Sequence, residues 1–486
     1  MTSTRSAKIL VLTIGNGVNV LINFLTLPYL VRTLSYLSYG TYGQVLLILS
    51  LIQGVFTFNL NQISNVIFSQ KTQDASTVFS TLFRLCIWMS VIGTLLMFVS
   101  IPLVKMVFDN ELIPNLLLLS LLNLFCQIPI PVFISVLIYF ERVKHTTSIL
   151  VISNCVKVIV MVISIHFYNS VELMMIGLSL ASLFQAVLLF LAIPKEVRKI
   201  NTYDSKIASS IFKMASPLVL SSFIEKSLFY IDGLMISTML GTTAYAFYRA
   251  GAIEVPFIAT LYGAVATILM PEVAKYFADR NYTEIVRLKK AAISTTVFFV
   301  YPVLMYLLFF SNSLVSFYLS EKYVNSVMVF LIFNLSLLVR INDYQDVIIV
   351  SGNGKYIFKA VLISTGLNLL LNYVLIHLFG IEGSAMAFII CLIVFAGLLT
   401  RKSLEIMQCG FTELFNLNLI AKVILISLIP ILIIFVLHYF FFTTVWFVIF
   451  VTPIYAVFVF LAGVRYKLLH PAILKYLTSK FDWIKL

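Results

Sequence analysis

The chain has 486 residues, of which 61% are hydrophobic and 11% charged, with a formal net charge of +13. A soluble domain runs at about 45–50% apolar and about 25% charged. The balance excludes a soluble enzyme on a membrane anchor, because too little polar chain remains to build one, and it points to an all-α polytopic membrane protein.

Apolar runs bounded by charged or turn residues predict about fourteen transmembrane helices, at roughly 9–31, 42–66, 82–104, 113–139, 146–167, 171–193, 213–236, 248–270, 290–310, 323–350, 356–378, 382–400, 420–441 and 443–464. A membrane-crossing helix needs about 20 apolar residues, so fourteen would use roughly 280, close to the whole apolar content. The first run is too long for the apolar core of a cleaved signal, and no small-residue cleavage site follows it. No loop between spans exceeds about 20 residues, so no separate soluble domain is expected. Pro28, Pro129, Pro131, Pro217, Pro256, Pro302, Pro430 and Pro453 interrupt spans. Each frees a backbone carbonyl, which is tolerated where neighbouring helices or a wet cavity satisfy it.

With the N-terminus inside, 26 of the 33 lysines and arginines fall in inner loops, tails and inner span ends. Four lie on the outer side (Arg32, Lys105, Arg249 and Lys322) and three inside spans (Lys157, Lys226 and Arg340). This bias predicts cytoplasmic termini, and it accounts for the basic charge with no nucleic-acid partner. Lys206 and Lys289 belong to the inner set.

The chain also repeats itself. Leu34-Ser35-x3-Tyr39-Gly40-x-Tyr42 matches Leu240-Gly241-x3-Tyr245-Ala246-x-Tyr248, Ile152-Ser153 matches Ile363-Ser364, and Ile165-His166 matches Ile376-His377. The expected organisation is an N-terminal six-helix lobe (1–195), a cytoplasmic linker (196–212), a C-terminal six-helix lobe (213–402), and a helix pair with a basic cytoplasmic tail (403–486). An even helix count gives both lobes the same topology, a transporter design with its site between the halves near the midplane.

No catalytic constellation emerges. The five cysteines, Cys86, Cys126, Cys155, Cys391 and Cys409, form no paired motif, so neither a metal site nor a disulfide framework is expected. Ser351-Gly352-Asn353-Gly354-Lys355 ends like a P-loop, but Ile349 stands where the motif needs its first glycine. No cofactor and no ATPase signature are expected, which leaves an ion or substrate gradient as the energy source. The informative residues are ionisable groups inside spans, each costing about 2.5–3.5 kcal/mol if it faces lipid. Lys157 sits mid-span without a charged neighbour on its own helix, Glu225, Lys226 and Asp232 lie in span 7, Glu254 in span 8, and Arg340, Asp343 and Asp346 in span 10. On a continuous helix Glu225 and Asp232 share a face, and Arg340 and Asp343 are i,i+3 neighbours that can pair. His166 and His377 read as interfacial residues.

Leu27-Pro28-Tyr29-Leu30-Val31-Arg32-Thr33-Leu34, followed by Tyr39-Gly40-x-Tyr42, resembles the opening signature of Wzx-type polysaccharide flippases of the multidrug/oligosaccharidyl-lipid/polysaccharide exporter superfamily. Ser35 stands where that family usually has glycine. Ile231-Asp232, Leu269-Met270-Pro271, Gly352-x-Gly354-Lys355 with Asn368-x3-Asn372, and Phe379-Gly380-Ile381-x-Gly383-x-Ala385 resemble the family in the same order. The likeness covers about residues 9–400. It implies two six-helix bundles around a central cavity that opens alternately to each side, a fold like that of the superfamily's multidrug exporters and lipid II flippases. It also implies transfer of an undecaprenyl-diphosphate-linked oligosaccharide between leaflets of a bacterial inner membrane. On that reading Lys157, Lys226 and Arg340, with Arg32 and Arg249 at outer span ends, face the diphosphate and glycan. Glu225, Asp232, Glu254, Asp343 and Asp346 serve proton or sodium coupling or charge pairing. Membrane lipids, a polysaccharide polymerase and a chain-length regulator are the expected partners. A lipid II flippase and a cation-coupled multidrug antiporter of the same superfamily stay open as alternatives, the three deep cations weighing against the antiporter.

Single-cysteine labelling with an impermeant reagent tests the topology: positions 206 and 289 are expected on the inner side and position 170 on the outer. Outside labelling at 206 would overturn it.

Overall fold

The computed structural model describes residues 5–70, 74–200, 203–442 and 444–468, and among them every regular element is helical. The chain divides into two compact units, Met1–Arg249 and Ala250–Leu486.

The first unit contains α1 (Arg5–Thr33), α2 (Tyr36–Phe56), α3 (Leu60–Gln70), α4 (Ala75–Val107), α5 (Leu112–Leu119), α6 (Leu121–Gln127), α7 (Ile130–Tyr139), α8 (Val143–Tyr168), α9 (Val171–Ala192), α10 (Ser205–Met239) and most of α11 (Gly241–Gly251). Side-chain oxygens of Ser35, Asp74, Ser170 and Asp204 accept backbone N–H groups in the first turns of α2, α4, α9 and α10, satisfying donors that a helix start leaves free. At the other end of α9, Arg142 donates to the Ala192 carbonyl at 2.7 Å and Arg198 to Leu191 at 3.1 Å. Arg84 holds the following segment through the Ile200 carbonyl at 2.9 Å. Arginines therefore close carbonyl ends here. The core gathers Leu60, Ile63, Phe79, Leu82, Phe133, Val136 and Leu189 from α3, α4, α7 and α9.

The second unit contains α12 (Pro256–Ala278), α13 (Tyr282–Leu319), α14 (Val327–Asn334), α15 (Asp346–Val350), α16 (Gly354–Met407), α17 (Phe411–Leu414), α18 (Leu417–Phe440) and α19 (Val445–Arg465). Short 3-10 turns cover Glu321–Ser326 and Leu335–Leu338. Tyr306 and Phe310 of α13 pack with Ile431 and Ile434 of α18 and with Val448 and Tyr455 of α19. Tyr306 donates to the Val448 carbonyl at 2.6 Å and Tyr455 to the Pro302 carbonyl at 2.9 Å. The C-terminal helix pair is thus docked on α13 by aromatic burial with each hydroxyl satisfied.

Eleven described helical segments are long and apolar enough to cross a membrane. One of them, α16, is a hairpin of two. Gly380 adopts φ 61°, ψ −135° within it, and Ser384 then donates to the Asn372 side chain. In a straight helix residues twelve apart lie about 18 Å from each other. Elsewhere large apolar side chains such as Leu95, Val99, Leu103 and Met106 on α4 are exposed, as a surface solvated by hydrocarbon requires.

Four predicted spans are broken among the described residues, the run over 248–270 at residues 252–255 before Pro256. The run over 42–66 is interrupted where Phe58 and Asn59 take φ of 50° and 49°. The run over 113–139 becomes α5, α6 and α7, with Pro129 preceding α7. The run over 323–350, which has neither proline nor an internal glycine, opens into irregular backbone at residues 339–345. There the Asp343 carboxylate accepts the Gln345 N–H at 3.0 Å, and the Tyr301 and Tyr344 hydroxyls take the carbonyls of Leu338 and Val339. Side chains offer the backbone an alternative to the helix ladder, a competition that hydropathy does not register.

Replacing Gly380 by alanine is expected to cost about 1–3 kcal/mol, because φ 61° with ψ −135° is a backbone conformation that side chains with a Cβ rarely adopt, while only Glu382 Oε2 lies near the added carbon, at 3.8 Å. Thermal unfolding in detergent should show the loss.

Candidate functional site

In the first unit the two copies of the tyrosine motif meet. A Cβ on Gly40 would lie 2.3 Å from the Thr242 carbonyl oxygen, and one on Gly43 would lie 2.6 Å from Arg249 Nη1. The two glycines let α11 approach α2 and leave room for the guanidinium. Arg249 then sits over the rings of Tyr39 and Tyr42, with Cζ 5.6 and 5.3 Å from their centroids. Tyr245 donates to the Gly43 carbonyl at 3.4 Å. Among the described residues no carboxylate lies within 4.0 Å of Arg249. A cation over aromatic faces is held by about 0.5–2 kcal/mol, and no described carboxylate neutralises it. Beside it Asn110 donates to Thr41 Oγ1 at 2.7 Å, to Gln44 Oε1 at 3.2 Å and to Thr242 Oγ1 at 3.1 Å. Asp232 is buried and accepts from Tyr248 at 3.2 Å.

Lys157, midway along α8, donates to Gln185 Oε1 of α9 at 2.7 Å. It too has no carboxylate within 4.0 Å among the described residues. An amide oxygen orients the ammonium without neutralising it.

In the second unit two interruptions face each other. Residues 252–255 are non-helical before Pro256, as the residue preceding a proline avoids the helical region. Asn334 of α14 donates to the Ile253 carbonyl at 3.3 Å and to Phe330 at 2.8 Å, satisfying backbone that the break leaves open. Glu254 in this break forms an ion pair with Arg340 in the 339–345 opening. Arg340 also lies over the Phe388 ring, 5.8 Å from its centroid, and that ring stacks on Phe333 at 5.0 Å. The expected Arg340–Asp343 pair is replaced: the broken backbone removes the i,i+3 relation and the Asp343 carboxylate caps Gln345 instead.

Asp346 pairs with Lys289 of α13 at 2.6 Å, and both side chains are fully buried, at 1% and 0% exposure. Lys289 also donates to the Asp343 carbonyl at 2.8 Å. Lys289 is therefore no surface reporter of the inner side, as its place in the sequence suggested; the break in span 10 buries it.

Of the remaining candidates, Arg32 is exposed in the last turn of α1, where a cation complements the carbonyl end. Glu225 and Lys226 lie on α10 with their side chains outside the described residues. The arrangement brings together Glu254 with Arg340, and separately Asp346 with the unanticipated Lys289. Sequence reasoning missed the tyrosine cage as a guanidinium site, although Tyr39, Tyr42 and Tyr245 stood in the repeat, and it missed Gln185, one more glutamine in an apolar run. Among the described residues no group of three or more His, Cys, Asp or Glu converges as a metal site would require.

A family model described as polysaccharide biosynthesis protein matches residues 29–328. No curated protein matches the sequence. Among solved structures, the fold is similar to that of the lipid II flippase MurJ in an inward closed conformation, with a TM-score of 0.72 at 17% identity over 94% of this chain and 99% of that one. It is also similar to an outward-facing multidrug resistance MATE family transporter of the MOP superfamily, with a TM-score of 0.58 at 15% identity over 82% of this chain and 94% of that one. A MOP superfamily transporter from Pyrococcus furiosus, described as having a binding pocket of reverse polarity, gives a TM-score of 0.59 at 13% identity, again over 82% and 94%.

Lys289→Met is expected to destabilise the protein by about 3–5 kcal/mol by stranding the Asp346 charge, and Lys289→Met with Asp346→Leu to recover most of it. Thermal unfolding in detergent checks both; a double variant no better than the single one would remove the pair as the cause.

Proposed function

The chain belongs to the polysaccharide biosynthesis protein family, and from that premise we propose that it is a flippase for undecaprenyl-diphosphate-linked oligosaccharide repeat units. It moves them by alternating access from the cytoplasmic to the periplasmic leaflet of a bacterial inner membrane, for O-antigen or a related surface polysaccharide. The observation that carries this reading is the pair of cations, Lys157 midway along α8 and Arg249 in its tyrosine cage, that no described carboxylate neutralises. Both are half-buried, where an opposite charge is favoured, and a diphosphate supplies one through charge-assisted hydrogen bonds. A pocket for cationic drugs would place carboxylates there.

The Arg340–Glu254 pair suits the coupling step. Both residues sit on irregular backbone, the kind of interruption at which transporters place their sites. A diphosphate that competes with Glu254 for the guanidinium, or a proton or sodium ion that neutralises Glu254, releases Arg340 toward substrate. Asp232, held by Tyr248, is a second group for ion coupling. The glycan passes through a polar cavity while the polyprenyl tail stays in lipid, and a polymerase and chain-length regulator receive the product on the outer side.

A lipid II flippase is the second reading, favoured by the fold likeness over 94% of the chain. The two substrates share the diphosphate and differ in the glycan.

Deleting the gene in its host and weighing the polyprenyl lipids by mass spectrometry tests the proposal. Undecaprenyl-diphosphate oligosaccharide is expected to accumulate, to be cleared by the wild-type chain, and to persist with Lys157→Ala despite normal membrane insertion. Accumulated lipid II would move the reading to the second flippase class. An unchanged lipid pool with altered drug sensitivity would overturn both in favour of an antiporter.

A further inference from the structure

Four inner span ends of the second unit enclose a cavity of about 490 Å³ that the transport reading does not use. It lies between the end of α12, the start of α13, the start of α18 and the residues after α19. The distribution of lysine and arginine assigns all four of these ends to the cytoplasmic side. The cavity is therefore at the depth of the lipid headgroups rather than mid-membrane.

Its lining is mixed in a specific way. Leu288, Leu419 and Leu468 give it an apolar wall. Arg287 and Glu284, also in the lining, neutralise each other at 2.7 Å. That leaves Lys290, Lys467 and Glu272 as lining charges with no ion-pair partner among the described residues. Two cations and one carboxylate on an apolar wall do not match a simple anion, because Glu272 opposes it. They match a ligand that carries a phosphate and an ammonium a short distance apart and has an apolar body. Helices α18 and α19 also carry exposed Leu425, Ile429, Ile454 and Val457, apolar surface of the kind acyl chains cover.

We propose that this cavity is a headgroup site for a zwitterionic, ethanolamine-type glycerophospholipid of the inner leaflet, its phosphate taken by Lys290 and Lys467 and its ammonium by Glu272. A lipid seated there fills the junction between α13 and the C-terminal helix pair.

Native mass spectrometry of the full-length protein in detergent tests this. Ethanolamine and phosphoglycerol phospholipids are offered in equal amounts, with inorganic phosphate as the headgroup-free probe. The wild-type protein is expected to retain one ethanolamine lipid in preference, and Lys290→Ala/Lys467→Ala to reduce that retention by about tenfold, the effect of losing charge-assisted contacts. Lys290→Arg/Lys467→Arg should keep the lipid, which separates a lost charge from a lost fold, and Glu272→Gln should shift the preference to the phosphoglycerol lipid. Unchanged retention in the alanine pair, or an unchanged preference in Glu272→Gln, would overturn the proposal. So would displacement of the lipid by inorganic phosphate, which marks a free-anion site, or retention that depends only on residues 469–486.

Discussion

Inside a bilayer no water is available to satisfy a polar group, so every backbone amide and every charge must find its partner within the chain. The rest of this structure follows from that constraint. Regular helices meet it by themselves. Where the chain departs from a helix, named side chains stand in for the missing ladder: Asn334 for the opening before Pro256, and Tyr301, Tyr344 and Asp343 for the opening at 339–345. The reversal at Gly380 is closed by a serine and an asparagine across the turn.

The same constraint sorts the charges. Lys289 with Asp346 and Arg340 with Glu254 are internally compensated. A buried pair adds little net stability, because desolvation offsets attraction; such pairs matter for where they hold the chain. Both pairs anchor the interrupted span 10, one to α13 and the other to the break before α12. Lys157 and Arg249 are oriented by neutral groups instead, an amide in one case and aromatic rings in the other. An amide oxygen or an aromatic face orients a cation without neutralising it.

Aromatic residues serve three distinct ends here. On α13, α18 and α19 they dock the C-terminal pair through Tyr306, Phe310 and Tyr455. In the motif of α2 and α11 they cage a guanidinium, and beside Arg340 a stacked pair, Phe333 and Phe388, backs an ion pair. In a chain with 42 phenylalanines and 24 tyrosines, composition alone cannot tell these from rings that merely face lipid.

The sequence by itself determined the all-helical membrane class, because a surplus of apolar residues in runs about 20 long has no other stable destination. It also determined the family likeness, through the ordered motifs from Leu27 to Ala385. Only the tertiary structure decided the partners. Whether Arg340 meets Asp343 or Glu254 depends on whether residues 339–345 stay helical, and there the distant Tyr301 hydroxyl acts together with the local bonds of Tyr344 and Asp343. Lys289 reads as a loop cation because its immediate neighbours are charged; it is buried because Asp346, 57 residues later, folds onto it. Local pattern reports what each segment needs, and only the packed fold settles which distant group supplies it.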